Sequence, residues 1–146
     1  MMLKQIAPFT PAILLAGQLF AGGFFLQLGN PDASPEARKL NAVLTIKATG
    51  CHDPATSRLT ATAIGVVNGE RREIALTVNR LSEPGMYAIA HEWPREGKWV
   101  IRLEAKNDAG QFTNSLVAAG PNGVDRYHRK DNLRPFGQSD VDAMLK

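Results

Sequence analysis

The chain has 146 residues, of which 44% are apolar and 21% are charged, and these proportions indicate one globular domain and exclude a wholly disordered chain. Its 17 Lys and Arg against 14 Asp and Glu give a formal net charge of +3. Because no block of like charges occurs, the sequence predicts no nucleic-acid partner. Cys51 is the only cysteine, so an intrachain disulfide is excluded and core packing has to hold the fold.

The first 28 residues have the composition of a membrane-directed segment. Met1–Lys4 carries a positive charge, and Ile6–Leu28 contains no charged residue at all. A charge-free run behind a positive N-terminus is typical of a signal peptide or a signal anchor, and it predicts a hydrophobic N-terminal helix. Either alternative exports the rest of the chain to the periplasm or the cell exterior.

Two fates of this leader stay open, and a third is less favoured. Cleavage before Phe24 would follow the small residues Ala21 and Gly23. An uncleaved anchor over Pro11–Leu28 has 18 residues, which at about 1.5 Å each span most of a ~30 Å hydrocarbon core. The third alternative is a disordered leader or a partner-binding helix of a cytoplasmic protein.

Residues 29–41 are predicted to be a linker that holds the domain away from the membrane surface. Pro31 and Pro35, together with Asn30, Asp32 and Ser34, oppose the continuation of a helix or a strand.

Residues 42–120 are predicted to form an immunoglobulin-like antiparallel β-sandwich of about six to seven strands. Asn68–Gly69 tolerates positive φ at both central positions of a tight hairpin turn. In Lys98–Lys106 the apolar side chains from Trp99 to Ala105 alternate with charged ones, which indicates a half-buried strand. The six β-prone runs are 40–48, 58–67, 71–79, 86–93, 98–106 and 111–119.

Residues 121–146 lack any periodicity and are predicted to be a polar tail that ends in a short helix from Ser139, with Ser139 as its cap. The basic residues of this tail are candidates for contact with anionic lipid or a partner. Asp125 and Asp131 dilute their charge, which favours a solvated tail whose helix packs on the sandwich. The basic residues are Arg126, His128, Arg129, Lys130 and Arg134.

The segment from Ser82 to Gly110 carries three turn motifs, E-P-G-x-Y, W-P-x-x-G-x-W and N-D-x-G. In this order the motifs resemble the exported immunoglobulin-like domains of the YtkA-like and FixH-like group. The resemblance covers about a quarter of the chain and consists largely of hairpin chemistry. It implies an exported immunoglobulin-like fold and, since some members of that group handle copper outside the cytoplasm, a candidate copper site. Such copper sites use a histidine near the mature N-terminus, and Phe24–Gly50 contains none.

The strongest candidate for chemistry is the turn that contains Cys51 and His52, because thiolate and imidazole suit copper and zinc. Met86 and His91 would complete a metal site if the fold brought them to this turn. Adjacent residues on a strand face opposite ways, so only a turn lets both Cys51 and His52 bind. The favoured alternative is a buried Cys51, an exposed His52 and a turn at Asp53–Pro54.

The aromatic residues Tyr87, Trp93 and Trp99 are predicted to pack in the core, with His91 at its rim, rather than to form an exposed contact patch. Cys51 and His52 also lack the oriented base and the oxyanion donors of a nucleophilic site. No phosphate-binding loop, dinucleotide fingerprint or metalloprotease helix occurs. The sequence therefore predicts a protein that is not an enzyme.

We expect from the sequence a non-enzymatic binding or assembly module outside the cytoplasm, with an unidentified protein partner and membrane contact through its N-terminal segment. No cofactor is predicted beyond the candidate copper. The alternatives are an extracytoplasmic copper-binding or metal-delivery domain, and an accessory subunit of a membrane complex.

Overall fold

The computed structural model describes residues 23–50 and 53–146, so the predicted hydrophobic helix lies mostly outside the described residues. Besides two 3₁₀ turns, the described residues form nine strands and two short α-helices. They are β1 (Phe25–Gly29), α1 (Pro35–Lys39), β2 (Ala42–Thr49), β3 (Arg58–Val67), β4 (Glu70–Ala75), β5 (Asn79–Arg80), β6 (Met86–Ala90), β7 (Lys98–Lys106), β8 (Phe112–Gly120), β9 (Gly123–Asn132) and α2 (Gln138–Leu145).

The strands form two antiparallel sheets, as the sequence predicts for a mostly β protein. A four-stranded sheet has the order β1-β2-β6-β5, and a five-stranded sheet has the order β4-β3-β7-β8-β9. Strands β3 and β7 begin and end at the predicted residues. The predicted hairpin turn between β3 and β4 is also confirmed, since Asn68 and Gly69 both have positive φ.

The main core lies between the two sheets and follows the alternation of the strands. Side chains at every second position of β2, β6, β3 and β7 are buried there. Burial of each large apolar side chain contributes on the order of 1.5–3 kcal/mol. Trp99 lies against Gly65 of the neighbouring strand, where an added Cβ would overlap the indole ring.

Helix α2 forms a second, smaller core on the outer face of the five-stranded sheet. Val141 of the helix packs on Ile64, Val100 and Leu116. The predicted C-terminal helix is therefore present and packs on the sandwich. Its cap differs from the prediction: the helix begins after Gly137, whose N–H donates to the Asp140 carboxylate at 2.9 Å.

The buried side chain of Asn114 joins α2 to the sheet. Its Nδ2 donates to the carbonyl oxygens of Asn132 and Arg134, each at 2.8 Å, and its Oδ1 accepts from the Phe136 N–H at 3.1 Å. The connection from β9 to α2 is fixed by these three hydrogen bonds.

Residues 29–41 differ from the predicted linker because they fold onto the four-stranded sheet. A single 3₁₀ turn at Pro31–Ala33 leads into α1, and the Ser34 hydroxyl caps α1 by accepting from the Ala37 N–H. Ala37 is fully buried. The Glu36 carboxylate accepts from the hydroxyl and the N–H of Ser82, and these hydrogen bonds hold the pKa of Glu36 below its ordinary value.

The sandwich begins earlier than the predicted boundary at residue 42. Strand β1 pairs with β2 from Phe25 to Gly29, and Phe24 is buried in the main core. The last four residues of the predicted anchor over Pro11–Leu28 therefore belong to strand β1. Neither helix of the described residues has the length and apolar character needed to cross a bilayer.

The tail also differs from the prediction, because Gly123–Asn132 is the edge strand β9. Most side chains of β9 are polar or charged and exposed, so the apolar alternation by which a strand is recognised is missing.

Candidate functional site

Two of the predicted metal ligands, Cys51 and His52, lie outside the described residues, but their neighbours are placed. Gly50 lies against the backbone of Gly23 and Phe24, and Pro54 packs against Gly85. The predicted turn at Asp53–Pro54 is confirmed: the Asp53 side chain accepts from the Ala55 N–H at 2.9 Å and caps a 3₁₀ turn. Gly50 and Pro54 therefore both lie at the end of the four-stranded sheet where β1 begins.

The structure places Met86 and His91 at opposite ends of β6. Met86 follows Gly85 and pairs with Lys47, so it lies at the same end of the sheet as Pro54. His91 follows the other end of the strand, and at about 3.3 Å per residue roughly 16 Å separates the two Cα atoms. The two residues therefore do not converge on one metal ion. In the described parts of the chain, no three His, Cys, Asp or Glu side chains gather as a metal site.

His91 belongs to the rim of the core, as predicted. Its ring stacks on Trp93 with centroids 4.1 Å apart and an interplanar angle of 23°. Trp93 Nε1 donates to the Gly120 carbonyl oxygen at 3.2 Å. Nε2 of His91 is buried and makes no hydrogen bond to the residues that the structure describes.

The prediction that the aromatic residues pack in the core is confirmed. Trp93 and Trp99 are 3% and 2% exposed, and Tyr87 is buried as well. The Tyr87 hydroxyl lies 2.5 Å from the Ser57 carbonyl oxygen, to which it donates. Among the aromatic side chains that the structure describes, Tyr127 on β9 is the most exposed.

Strand β9 carries a bulge that sequence reasoning missed. Val117 pairs with Arg129, and the next residue of β8, Ala118, pairs with Asp125, so three residues of β9 have no partner on β8. These three residues, Arg126–His128, are called the β9 knob here. Extra residues in an edge strand bend it and redirect its side chains.

Tyr127 is the central residue of the β9 knob and is 90% exposed. The Arg126 guanidinium lies over the Tyr127 ring, 5.5 Å from its centroid. The Tyr127 N–H donates to the Asp125 carboxylate at 3.1 Å. Tyr127 is thus presented to solvent while its backbone is held by a local hydrogen bond.

A polar network fixes the base of the β9 knob. Arg129 forms an ion pair with Asp131, which also accepts from the buried Ser115 hydroxyl at 2.5 Å. Arg129 Nη2 donates to the Leu26 carbonyl oxygen of β1 at 3.0 Å and so crosses from one sheet to the other. The β9 knob therefore lies on a braced edge, next to the first strand of the fold.

One signal in the sequence points to β9. Pro121–Asn122–Gly123 follows the apolar strand β8 and has the composition of a hairpin turn. The residues that follow are charged and lack alternation, and nothing local indicates a bulge.

A comparison of the chain with protein-family models, curated proteins and solved structures finds no match.

Proposed function

We propose that this protein is a non-enzymatic binding module outside the cytoplasm, with an immunoglobulin-like sandwich as scaffold and the β9 knob as binding surface. The observation that carries the proposal is the exposure of Tyr127, a large aromatic side chain on a bulge with a braced base.

The chemistry of the β9 knob suits binding. Tyr and Arg are the residue types enriched where binding energy concentrates, and Arg126 and Tyr127 already contact each other in the free protein. Two contacts restrict the motion of the β9 knob before any partner binds. They are the hydrogen bond from the Tyr127 N–H to Asp125 and the ion pair of Arg129. Preorganisation of this kind lowers the entropic cost of association.

The start of the fold supports export. Phe24 is the first buried residue of the described chain, and it directly follows the small residues after which a signal peptidase would cut. An uncleaved leader is the other alternative, in which the domain would serve as an accessory subunit of a membrane complex. The resemblance of the Ser82–Gly110 motifs to exported immunoglobulin-like domains agrees with both.

Site-specific photo-cross-linking in cells that express the full chain tests this proposal. A photoreactive amino acid replaces Tyr127, and the control replaces Ala75, an exposed residue on β4 at the other edge of the same sheet. We expect a discrete cross-linked product, to protein or to lipid, from position 127 but not from position 75. Equal yields from the two positions would remove the case for a binding surface.

A second candidate function is copper or zinc binding by Cys51, His52 and Met86. The packing of Pro54 on Gly85, the residue before Met86, is the observation that favours it. His91 is left out because it follows the far end of β6.

Metal titration of the purified protein tests this second candidate. We expect Cys51→Ser and Met86→Leu to weaken binding, while the control His91→Gln leaves the affinity unchanged. If Cys51→Ser binds copper and zinc as tightly as the unaltered protein does, no such site exists.

A further inference from the structure

We infer that the β9 knob and the edge around it dock on an anionic lipid surface. This inference rests on the proposed function, since it names the partner of the same binding surface.

Most of the basic side chains at this edge have no acidic partner within the described parts of the chain. Asp131 forms an ion pair with Arg129 and accepts from Ser115, whereas Asp125 accepts only from the Tyr127 N–H and forms no ion pair with the described residues. Three basic side chains, of Arg126, Lys130 and Arg134, form no ion pair with the residues that the structure describes. The four Arg and Lys side chains of this edge outnumber its two carboxylates, so the edge is positively charged, and this composition suits an anionic surface.

The same edge exposes apolar surface. The described chain leaves five large hydrophobic residues exposed, and three of them lie on β1, on β9 or next to β9: Phe25 at 47%, Tyr127 at 90% and Leu133 at 64%. Tyrosine favours the boundary between lipid and water because its ring is apolar and its hydroxyl is polar. Exposed apolar side chains and unpaired cations on β1, on β9 and directly after β9 fit a lipid headgroup layer, which accepts both.

The position of this edge in the chain favours a membrane over an acidic protein. The hydrogen bond from Arg129 to the Leu26 carbonyl oxygen places β9 beside β1. The charge-free run that begins at Ile6 leads directly into β1, and the predicted spacer at residues 29–41 is packed on the sheet instead. Residues 29–41 therefore do not hold this edge away from a membrane into which the apolar run is inserted.

A second copy of the chain is a less suitable occupant. Two copies that pair through β9 around His128 would set Arg126 of one copy opposite Lys130 of the other. Like charges directly opposite each other destabilise strand pairing.

Quenching of a single new tryptophan tests the inference in the full chain. Tyr127→Trp is mixed with vesicles whose acyl chains carry bromine, made of phosphatidylcholine alone or of equal parts phosphatidylcholine and phosphatidylglycerol. The two native tryptophans are buried in the core and give a background that lipid does not reach. Ala75→Trp, on the opposite edge, is the matched control.

We expect the indole introduced at position 127 to be quenched in the anionic vesicles more than in the neutral ones, and the indole at position 75 in neither. Replacement of Arg126 and Lys130 by Gln should weaken docking about fivefold for each cation removed, and added salt should weaken it further. Circular dichroism of each variant verifies that the sandwich is intact.

Three results would overturn the inference. A vesicle-bound protein in which the indole at position 127 is quenched no more than the indole at position 75 would show that the edge does not meet the lipid. A failure of the full chain to float with anionic vesicles would exclude lipid docking altogether. A discrete protein cross-link at position 127 without quenching would assign the β9 knob to a protein partner and leave the proposed function standing.

Discussion

At the scale of single residues, the Trp99 ring of β7 packs directly on the backbone of Gly65 in β3. The indole ring covers the position that a Cβ of residue 65 would take, and Trp99 Nε1 donates to the Glu96 carbonyl oxygen at 2.7 Å. The hydrogen bond therefore fixes the indole nitrogen, and the backbone of Gly65 contacts the ring itself.

We predict that Gly65→Ala lowers the free energy of unfolding by about 1–3 kcal/mol, because the methyl group overpacks the site and displaces the ring. Urea denaturation measures the change, with Trp fluorescence as the probe. Gly120→Ala is the matched control, since a Cβ at residue 120 meets nothing within 4 Å. Equal stability of the two variants would mean that the ring moves aside at no cost.

Asn114 shows how one buried amide positions a distant helix. We predict that Asn114→Ala costs about 1–3 kcal/mol, because the variant leaves the backbone groups of residues 132, 134 and 136 without their partner. Amide hydrogen exchange should accelerate more in α2 than in β7 when the variant is compared with the unaltered protein. Asn122→Ala, in the exposed turn before β9, should change neither quantity.

At the scale of elements, the first and last strands of the sandwich are held together by a side chain rather than by a ladder. Strands β1 and β9 belong to different sheets, and Arg129 joins them through the Leu26 carbonyl oxygen. The half-buried guanidinium also completes the hydrogen bonding of Ser115 and Asp131.

We predict that Arg129→Met loosens β1 more than it lowers global stability. The amide protons of β1 should exchange faster by about one to two orders of magnitude, equivalent to about 1–3 kcal/mol of lost local stability. Lys130→Met is the control, because Lys130 faces the opposite way on the same strand. Unchanged exchange in β1 would show that its pairing with β2 is sufficient.

The sequence predicts the strands that alternate and misses the elements that do not. Strand β7 presents apolar and charged side chains in turn, so its limits follow from the pattern alone. Strand β1 is hidden because Phe25–Leu28 continues the apolar leader without a break. Helix α1 is only five residues long, and its signal, Ser34 before Pro35, lies among residues that also suit a loop.

The candidate sites could likewise be predicted only in part from the sequence. The distance between Met86 and His91 follows from strand geometry once β6 is placed, but the residue pattern does not show which strand ends meet. The β9 knob depends on a mismatch between two strands, since Val117 and Ala118 pair with residues that are four apart. Pairing register of that kind is a property of the tertiary fold, and no local pattern encodes it.

At the scale of the whole molecule, the fold consists of one main core between the sheets and a second beneath α2. No disulfide within the chain reinforces either core, because the chain has a single cysteine. The stability of the domain therefore comes from packing and hydrogen bonding.

We predict that a reducing agent leaves the urea midpoint of the purified protein unchanged at every protein concentration. Removal of a native disulfide from a small domain typically costs about 2–5 kcal/mol, and no such loss is expected here. A midpoint that falls with dithiothreitol, and that depends on protein concentration, would show that Cys51 links two chains. Cys51→Ser should then reproduce the reduced behaviour.

The two sheets leave four outer strands, and each is unsuited to serve as a template for another chain. Strand β5 has only two residues, β4 begins with four charged residues, β1 has the Leu26 carbonyl oxygen bound by Arg129, and β9 is bent by the β9 knob. Short, charged or bulged edges prevent strands of neighbouring molecules from joining into a continuous sheet. Concentrated solutions of the folded protein should therefore resist fibril formation, although the sandwich has open sides.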